Sequence, residues 1–389
     1  MNITRFHANW NYPTAIRVGA GRIAELPEAC RELDMAAPLL VTDPGLAPLP
    51  MVENALTLCR DRGLKAGLFS AVKGNPSGQN VADGTAVFKA GGHDGVIAFG
   101  GGSALDAGKA VALMAGQQRP LWDFEDIGDN FQRVDVAGMA PVVAVPTTAG
   151  TGSEVGRSSV IVDEEAQVKR IIFHPKMLPA LVILDPELTL GLPPGLTAAT
   201  GMDALSHCLE AFCSPSYHPM AEGIALEGME LVRQYLPRAV ADGYDLEARL
   251  QMLVASSMGA TAFQRGLGAM HALSHSLGAL YDAHHGLLNA ILMPYVLREN
   301  REAIAPQMEK LARYLNLDSP GFDGVLNWVL ALRAEIGIPP SLEEIGIGDG
   351  DIERVGHMAE MDAAASGNPI HLGAAQYSHL FERALRGEV

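Results

Sequence analysis

The stretch GVIAFGGGSALDAGKAVALM (95–114) decides the fold of the N-terminal half. GVIAF (95–99) is apolar at every position, as expected of a strand buried on both faces of a parallel sheet. GGGS (100–103) is a turn of small residues. ALDAGKAVALMAG (104–116) then carries apolar residues at helical spacing. The pattern predicts a helix beginning near Ala104 with Asp106 in its first turn.

The same strand–turn–helix order repeats outward from this stretch. PLLVTD (38–43) reads as a strand followed by a helix around 51–62. AGLFS (66–70) precedes the helical VADGTAVFKAGG (81–92), and PVVAVP (141–146) and ALVILD (180–185) add further strands. SSVIV (158–162) and VKRIIF (168–173) flank DEEAQ (163–167), which predicts an antiparallel hairpin appended to that sheet. Beyond about residue 195 the strands stop. LTAATGMDALSHCLEAFCS (196–214), AEGIALEGMELVRQYLPRAV (221–240) and LEARLQMLVASSMGATAF (246–263) all show helical periodicity. The turn GLPPG (191–195) marks the boundary. The expected plan is an α/β dinucleotide-binding domain with a parallel sheet over 1–190, and an all-helical metal- and substrate-binding domain over 191–389. The tail, 340–389, shows ordinary helical patterns and no nameable chemistry.

Bulk composition narrows the classes. At 389 residues the chain exceeds what one hydrophobic core usually serves. With 48% apolar and 19% charged residues it fits a globular protein and argues against long disorder. Its net charge of −17 and the lack of any Lys/Arg run argue against a nucleic-acid partner. No segment approaches the roughly 18–20 apolar residues of a membrane span. MNITRFHANWNYP (1–13) lacks the charged start and apolar stretch of a secretory leader. Cys30, Cys59, Cys208 and Cys213 show no disulfide-framework spacing, so reduced thiols and a cytoplasmic location are expected.

Three strand ends are chemically unusual, and ligands of open parallel sheets bind at such ends. GGGS lets backbone N–H groups approach an anion ahead of a helix N-terminus. TTAGTGSE (147–154) offers donors without bulk. PLLVTD ends in Asp43, where a carboxylate could accept from a ribose diol. Any one could be only a tight turn, and Asp43 before Pro44 and Gly45 could simply start one. Together they favour a pyrophosphate-bearing cofactor, although the GxGxxG fingerprint is absent.

The second half carries metal-ligand chemistry. Asp203 and His207 lie four apart on one predicted helix, His271 and His275 repeat that spacing on another, and His284 and His285 follow in DAHHG (282–286). An isolated histidine on an apolar face is usually a hydrogen-bonded core residue. Two pairs and a His-His-Gly turn instead favour a divalent metal, because such groups are costly to bury unpaired. Spacing alone does not say which four of the six bind.

These segments resemble the iron-containing (group III) alcohol dehydrogenases, and the shortened segment 262–271, taken up below, is similar to that of the 4-hydroxybutyrate dehydrogenase-like branch. The resemblance spans almost the whole chain and rests on GGGSALDAGKA (100–110), PTTAGTGSE (146–154), TGMDALSHCLEAF (200–212) and the run from His271 through HHGLLNAILMP (284–294). It implies a catalytic divalent metal in the cleft between two domains, held by Asp203, His207, His271 and His285. The metal implied is Fe²⁺, with Zn²⁺ or Mn²⁺ as alternatives. His275 matches a non-ligand histidine that helps move protons, and His284 stands where the family does not require histidine. For NAD(H), Asp43 matches the residue facing the adenosine ribose. Gly101, Gly102 and Ser103 match the pyrophosphate loop with Asp106 behind it, Thr147, Thr148 and Ser153 the second loop, and Lys169 a lysine that reaches the cofactor. The family implies a homodimer or larger homo-oligomer acting on a small-molecule alcohol or aldehyde.

One segment departs from the family pattern. AFQRGLGAMH (262–271) is one residue shorter than usual and carries Arg265 close to His271. An arginine there fits a substrate with an anionic end, such as 4-hydroxybutyrate, with Phe263 matching an aromatic near the nicotinamide pocket. An inter-helix salt bridge is the competing reading of Arg265. From another class, a metal- and NAD-dependent lyase of the dehydroquinate synthase type shares the plan, but it would want a basic cluster in the helical half. A non-catalytic protein on the same fold would not need the ligand set.

Overall fold

The computed structural model describes residues 8–10 and 14–389. The segment read for a leader, 1–13, lies outside them apart from a short strand. In chain order the strands are β1 (Ala8–Trp10), β2 (Ala15–Val18), β3 (Pro38–Val41), β4 (Gly67–Phe69), β5 (Gly95–Gly100), β6 (Val142–Pro146), β7 (Ser158–Asp163), β8 (Val168–Phe173) and β9 (Leu181–Leu184). Seven of them form one sheet in the order β1-β2-β9-β6-β5-β3-β4, parallel from β2 to β4, with β1 antiparallel at the edge. Helices α1 (Leu26–Glu32), α2 (Pro50–Asp61), α3 (Gly78–Ala90) and α4 (Gly102–Met114) belong to the same unit.

Strands β3, β5, β6 and β9 are buried at every residue, as all-apolar strings in a covered parallel sheet should be. Leu40, Ile97, Phe99 and Val143 pack with Leu26 and Cys30 of α1 and with Leu56 and Cys59 of α2. Each such large side chain contributes about 1.5–3 kcal/mol when fully buried. Three details differ from the sequence-based expectation. Strands β1 and β2 extend the sheet, although three- and four-residue runs carry little periodicity. The β7–β8 hairpin pairs as predicted but forms its own two-stranded sheet. Its alternating burial covers one face only, and its backbone is tied by Val162 N to Pro76 O and Ile171 O to Asp126 N, both 2.8 Å. Helix α4 starts two residues earlier than expected, at Gly102, so Asp106 lies beyond its first turn.

The chain divides into two compact units. One comprises the residues up to Thr148 with Gly152–Leu190, the other Ala149–Thr151 with Gly191–Val389. The second unit is helical: α5 (Pro194–Cys213), α6 (Pro219–Ala241), α7 (Leu246–Ala262), α8 (Ala269–Tyr281), α9 (His285–Glu299), α10 (Ala305–Tyr314), α11 (Gly321–Glu335), α12 (Ile352–Met361) and α13 (Ala374–Arg386). Helix α5 is buried from Thr197 to Cys213 except at Thr200. A helix apolar on nearly all sides belongs at the centre of a bundle, and Asp203, His207 and Glu210 are the charged or ionisable exceptions on it. No helix among the described residues is long and apolar enough to cross a membrane. The four cysteines are buried and unbridged.

Candidate metal centre and cofactor loops

In the first unit, β6, β5 and β3 are neighbours, so the loops that follow them lie side by side. From β3 the chain moves outward to β4, then returns to place β5 on the other side of β3. That reversal is the topological switch point at which open α/β sheets bind ligands. Asp43 follows β3. Its Oδ1 accepts from Gly45 N (2.8 Å) and Leu46 N (3.0 Å), so the carboxylate shapes the turn with one oxygen and keeps Oδ2 for other partners. Gly101 precedes α4 and no side chain caps that helix, which leaves the first N–H groups at Gly102 and Ser103 turned outward as donors. Ser103 Oγ donates to Gly74 O. Thr147 is buried and its N–H reaches Gly100 O (2.9 Å), while Thr148 is half-buried.

Asp106 and Ser153 are drawn into a support beneath these loops. Ser153 Oγ donates to Asp106 Oδ1 (2.5 Å), and Val160 N to Asp106 Oδ2 (2.8 Å). Lys109, 1% exposed, lies 3.1 Å from Asp106 Oδ1 and donates to Ser153 O (3.0 Å) and Ser158 O. A buried ammonium needs such a set of acceptors. It fastens the hairpin and the second loop to α4. Lys169 sits half-buried on β8 opposite Val162.

In the second unit four side chains converge. Asp203, His207, His271 and His285, from α5, α8 and α9, each place one ligand atom within 4.8 Å of the others. Asp203 (2% exposed), His207 and His271 are buried, and His285 is partly open. The donor set fits a divalent cation. Asn289 Nδ2 donates to Asp203 Oδ1 (2.8 Å) and lies 3.2 Å from both His271 Nε2 and His285 Nε2, so one carboxylate oxygen and two ring nitrogens gather around its amide nitrogen. Outer partners fix the tautomers that this requires. His271 Nδ1 donates to Glu210 Oε2 (2.6 Å). Ser274 Oγ gives its hydrogen to His271 O (3.1 Å) and can accept from His285 Nδ1 at 3.2 Å. Burial pushes the His207 imidazole down to about 4, although Asp203 opposes the shift, and keeps it neutral as a ligand must be. Burial also pushes His271 down, but Glu210, Asp203 and Asp362 outweigh it and hold that ring above its usual range.

His275 does not join the four. It stacks on His285 with ring centroids 5.3 Å apart, and its Nδ1 donates to Asp362 Oδ2 (3.0 Å). Burial would raise the Asp362 carboxyl, but His275 beside it holds it below its ordinary value. Phe263 lies in a 3₁₀ turn, its ring edge-on to that of His207 with centroids 5.2 Å apart. His284 caps α9, accepting from Leu287 N at 3.3 Å.

Known proteins are similar to this chain over nearly its whole length. Residues 13–186 match the iron-containing alcohol dehydrogenase family and residues 197–385 its C-terminal family. The chain belongs to the iron-containing alcohol dehydrogenase family. It is 38% identical over 384 residues to a 4-hydroxybutyrate dehydrogenase of Cupriavidus necator, covering 96% of this chain and 99% of that one. It is 33% identical to an NAD-dependent methanol dehydrogenase of Bacillus methanolicus, covering 97% and 100%. The crystal structure of a 1,3-propanediol oxidoreductase superposes with a TM-score of 0.90 at 34% identity, covering 97% and 99%.

In this alcohol dehydrogenase the Arg265 guanidinium has partners within the protein itself. Its Nε donates to Ser216 O (2.6 Å) and Nη1 to Phe212 O (3.1 Å), with Glu222 Oε2 at 3.4 Å. The guanidinium thus closes the C-terminal end of α5, where orphan carbonyls attract a cation. Phe212 is nine residues along α5 from Asp203 and five, or about 7.5 Å, from His207. The other arginines of 200–290 are likewise engaged: Arg233 with Glu230, Arg238 with Asp245, Arg249 with Thr197 and Leu192 O. No basic cluster of the kind the lyase would need is assembled from them. Sequence reasoning also missed four residues around the ligands. Glu210 is seven after Asp203 and Asn289 four after His285, spacings that place each on its ligand's helix face. Asp362 and Asn368 come from the tail, which had been read as chemically silent, and no local pattern marks them.

Proposed function

We propose that the enzyme is a metal-dependent, NAD(H)-linked dehydrogenase that interconverts a short hydroxy acid, such as 4-hydroxybutyrate, and its semialdehyde. The observation that carries this reading is the convergence of Asp203, His207, His271 and His285 on one point. A divalent cation held there, iron in keeping with the family or zinc or manganese in its place, supplies Lewis acidity toward an alcohol or carbonyl oxygen. The cofactor side draws on Asp43 Oδ2, the amides of Gly101, Gly102 and Ser103, and Thr147, Thr148 and Lys169. A carboxylate at Asp43 would repel a 2′-phosphate, which favours NAD(H) over NADP(H). Asp106 and Ser153 keep those loops in place. His275, with Nδ1 committed to Asp362, has Nε2 left to take or pass on a proton. Phe263 shields the His207 side of the centre from water. The hydroxy-acid assignment is supported by the likeness to the Cupriavidus necator 4-hydroxybutyrate dehydrogenase, not by Arg265.

The test is NAD⁺ and NADP⁺ reduction by purified protein, stripped of metal and then reloaded with Fe²⁺ or Zn²⁺, against ethanol, butanol, 1,2-propanediol and 4-hydroxybutyrate. The expected result is metal-restored turnover, fastest with NAD⁺ and the hydroxy acid. Turnover unaffected by stripping would remove the metal-dependent reading, and equal kcat/KM for butanol and 4-hydroxybutyrate would remove the substrate.

A further inference from the structure

We infer that Glu210 is a positioning residue for the cation, because a single carboxylate holds both the ring of His271 and the first turn of the helix that carries it. The inference rests on the metal-dependent reading above. Glu210 Oε2 accepts from Gly268 N (2.8 Å) as well as from His271 Nδ1 (2.6 Å), and Oε1 accepts from Met270 N (2.7 Å). Both side chains are buried, Glu210 at 7% exposure and His271 at 1%. Helix α8 has no cap of its own at Gly268. Its next amide, Ala269 N, goes to Asn368 Oδ1 (3.2 Å), and Asn368 and Asn300 exchange two amide bonds of 2.9 Å.

The division of labour between the two caps separates positioning from mere support. Asn368 ties the helix start to Asn300 and makes no bond to the His271 ring, whereas Glu210 joins the helix start to that ring. Three N–H groups aimed at one side chain require an acceptor-only group with about four lone-pair sites, which a carboxylate is and an amide is not. Donation from Nδ1 leaves the Nε2 lone pair for the cation, orients the ring and raises its basicity. Gly268 leaves room for this arrangement. A Cβ there would lie 2.9 Å from Glu210 Oε1 and 3.0 Å from Asn368 Oδ1.

The experiment strips the full chain of metal and titrates it with Co²⁺ in competition with a chromophoric chelator. The Co²⁺ visible absorption is recorded, and the metal-free Tm is measured alongside. Glu210→Gln turns an amide NH₂ toward N–H donors and is expected to weaken Co²⁺ binding by about 10–100-fold and shift the absorption. Asn368→Ala is expected to lower Tm while leaving Co²⁺ affinity near that of the unaltered chain. Gly268→Ala keeps the charge but displaces the carboxylate, and it serves in place of Glu210→Gln should that variant not fold. Unchanged Co²⁺ affinity and absorption in the folded variant would overturn the inference, as would an equal loss of affinity in Asn368→Ala. An unaltered chain that binds no Co²⁺ at these four residues would instead overturn the metal-dependent reading itself.

Discussion

Apart from the Asp43 carboxylate, the loops after β3, β5 and β6 offer main-chain amides and small hydroxyls, whereas the cluster on α5, α8 and α9 offers side-chain lone pairs. Beneath the loops Asp106 and Lys109 of α4 hold the backbone in shape. In the cluster the ionised and ionisable groups are themselves the proposed ligands, and a second ring of Glu210, Ser274 and Asn289 bonds to them. The difference sets how each region should fail. Loops built on backbone geometry should fail through strain, while a centre built on side-chain lone pairs should fail through loss of a single atom.

His271→Ala gives the sharpest break. It removes a ligand and strands a buried carboxylate, and kcat/KM measured with saturating metal should fall by about 10³-fold or more. A variant within about tenfold of the unaltered enzyme would mean that the cluster is not the catalytic seat. Gly100→Ala tests the loop side. Gly100 has φ +144°, and a Cβ would meet that of Ala104 at 2.8 Å. Strain of about 1–3 kcal/mol is expected as a lower Tm, with a raised Kd for NAD⁺. Gly101→Ala, at φ −75° and meeting only Thr148, should keep its Tm, and equal behaviour of the two would show that strain is not what matters there.

Arg265→Ala should cost about 1–3 kcal/mol of stability by denaturant unfolding, since three acceptors lose a charged donor. The ratio of kcat/KM for 4-hydroxybutyrate over butanol should not move, and a fall in that ratio would restore Arg265 to the substrate site. The smallest effect belongs to Asp163 on the hairpin. Burial alone would raise its carboxyl, but the Ala166 N–H and the Arg170 guanidinium hold it below the ordinary value near 3.8. A carboxyl depressed in the folded state stabilises above its unfolded value, and that contribution is lost as pH falls through the folded one. Unfolding followed from pH 5 to pH 3 should therefore show the unaltered chain losing its advantage over Asp163→Asn. The advantage should be no more than about 1 kcal/mol, because the Arg170 partner is in part open to solvent screening, and a gap that widens on acidification would reverse the sign argued here.

The same contrast explains what could be read from the residues alone. Buried strands such as GVIAF and the i, i+4 pairs Asp203/His207 and His271/His275 are local patterns, and periodicity exposes them. The glycines of GGGS were legible as a turn, but where α4 begins depends on cap geometry, which shifted Asp106 out of the first turn. The partners of Arg265 were not legible, because its fork meets Phe212 O at the end of α5 and Ser216 O just beyond it, some fifty residues earlier. Asp362 and Asn368 were invisible for a related reason. Their partners lie 87 and 99 residues away, and no spacing rule reaches that far.

Those last two contacts bear on how the protein is made. The four proposed ligands span residues 203 to 285, so all of them, with Glu210, can emerge from the ribosome while Asp362 and Asn368, the partners of His275 and Ala269, are still unsynthesised. Contacts between residues this distant form slowly, because a long loop must close before they give anything back. A nascent chain paused after α9 would carry its histidines without Asn368 to seat the helix or Asp362 to orient His275. Full assembly of the centre is thereby deferred until translation has passed residue 368.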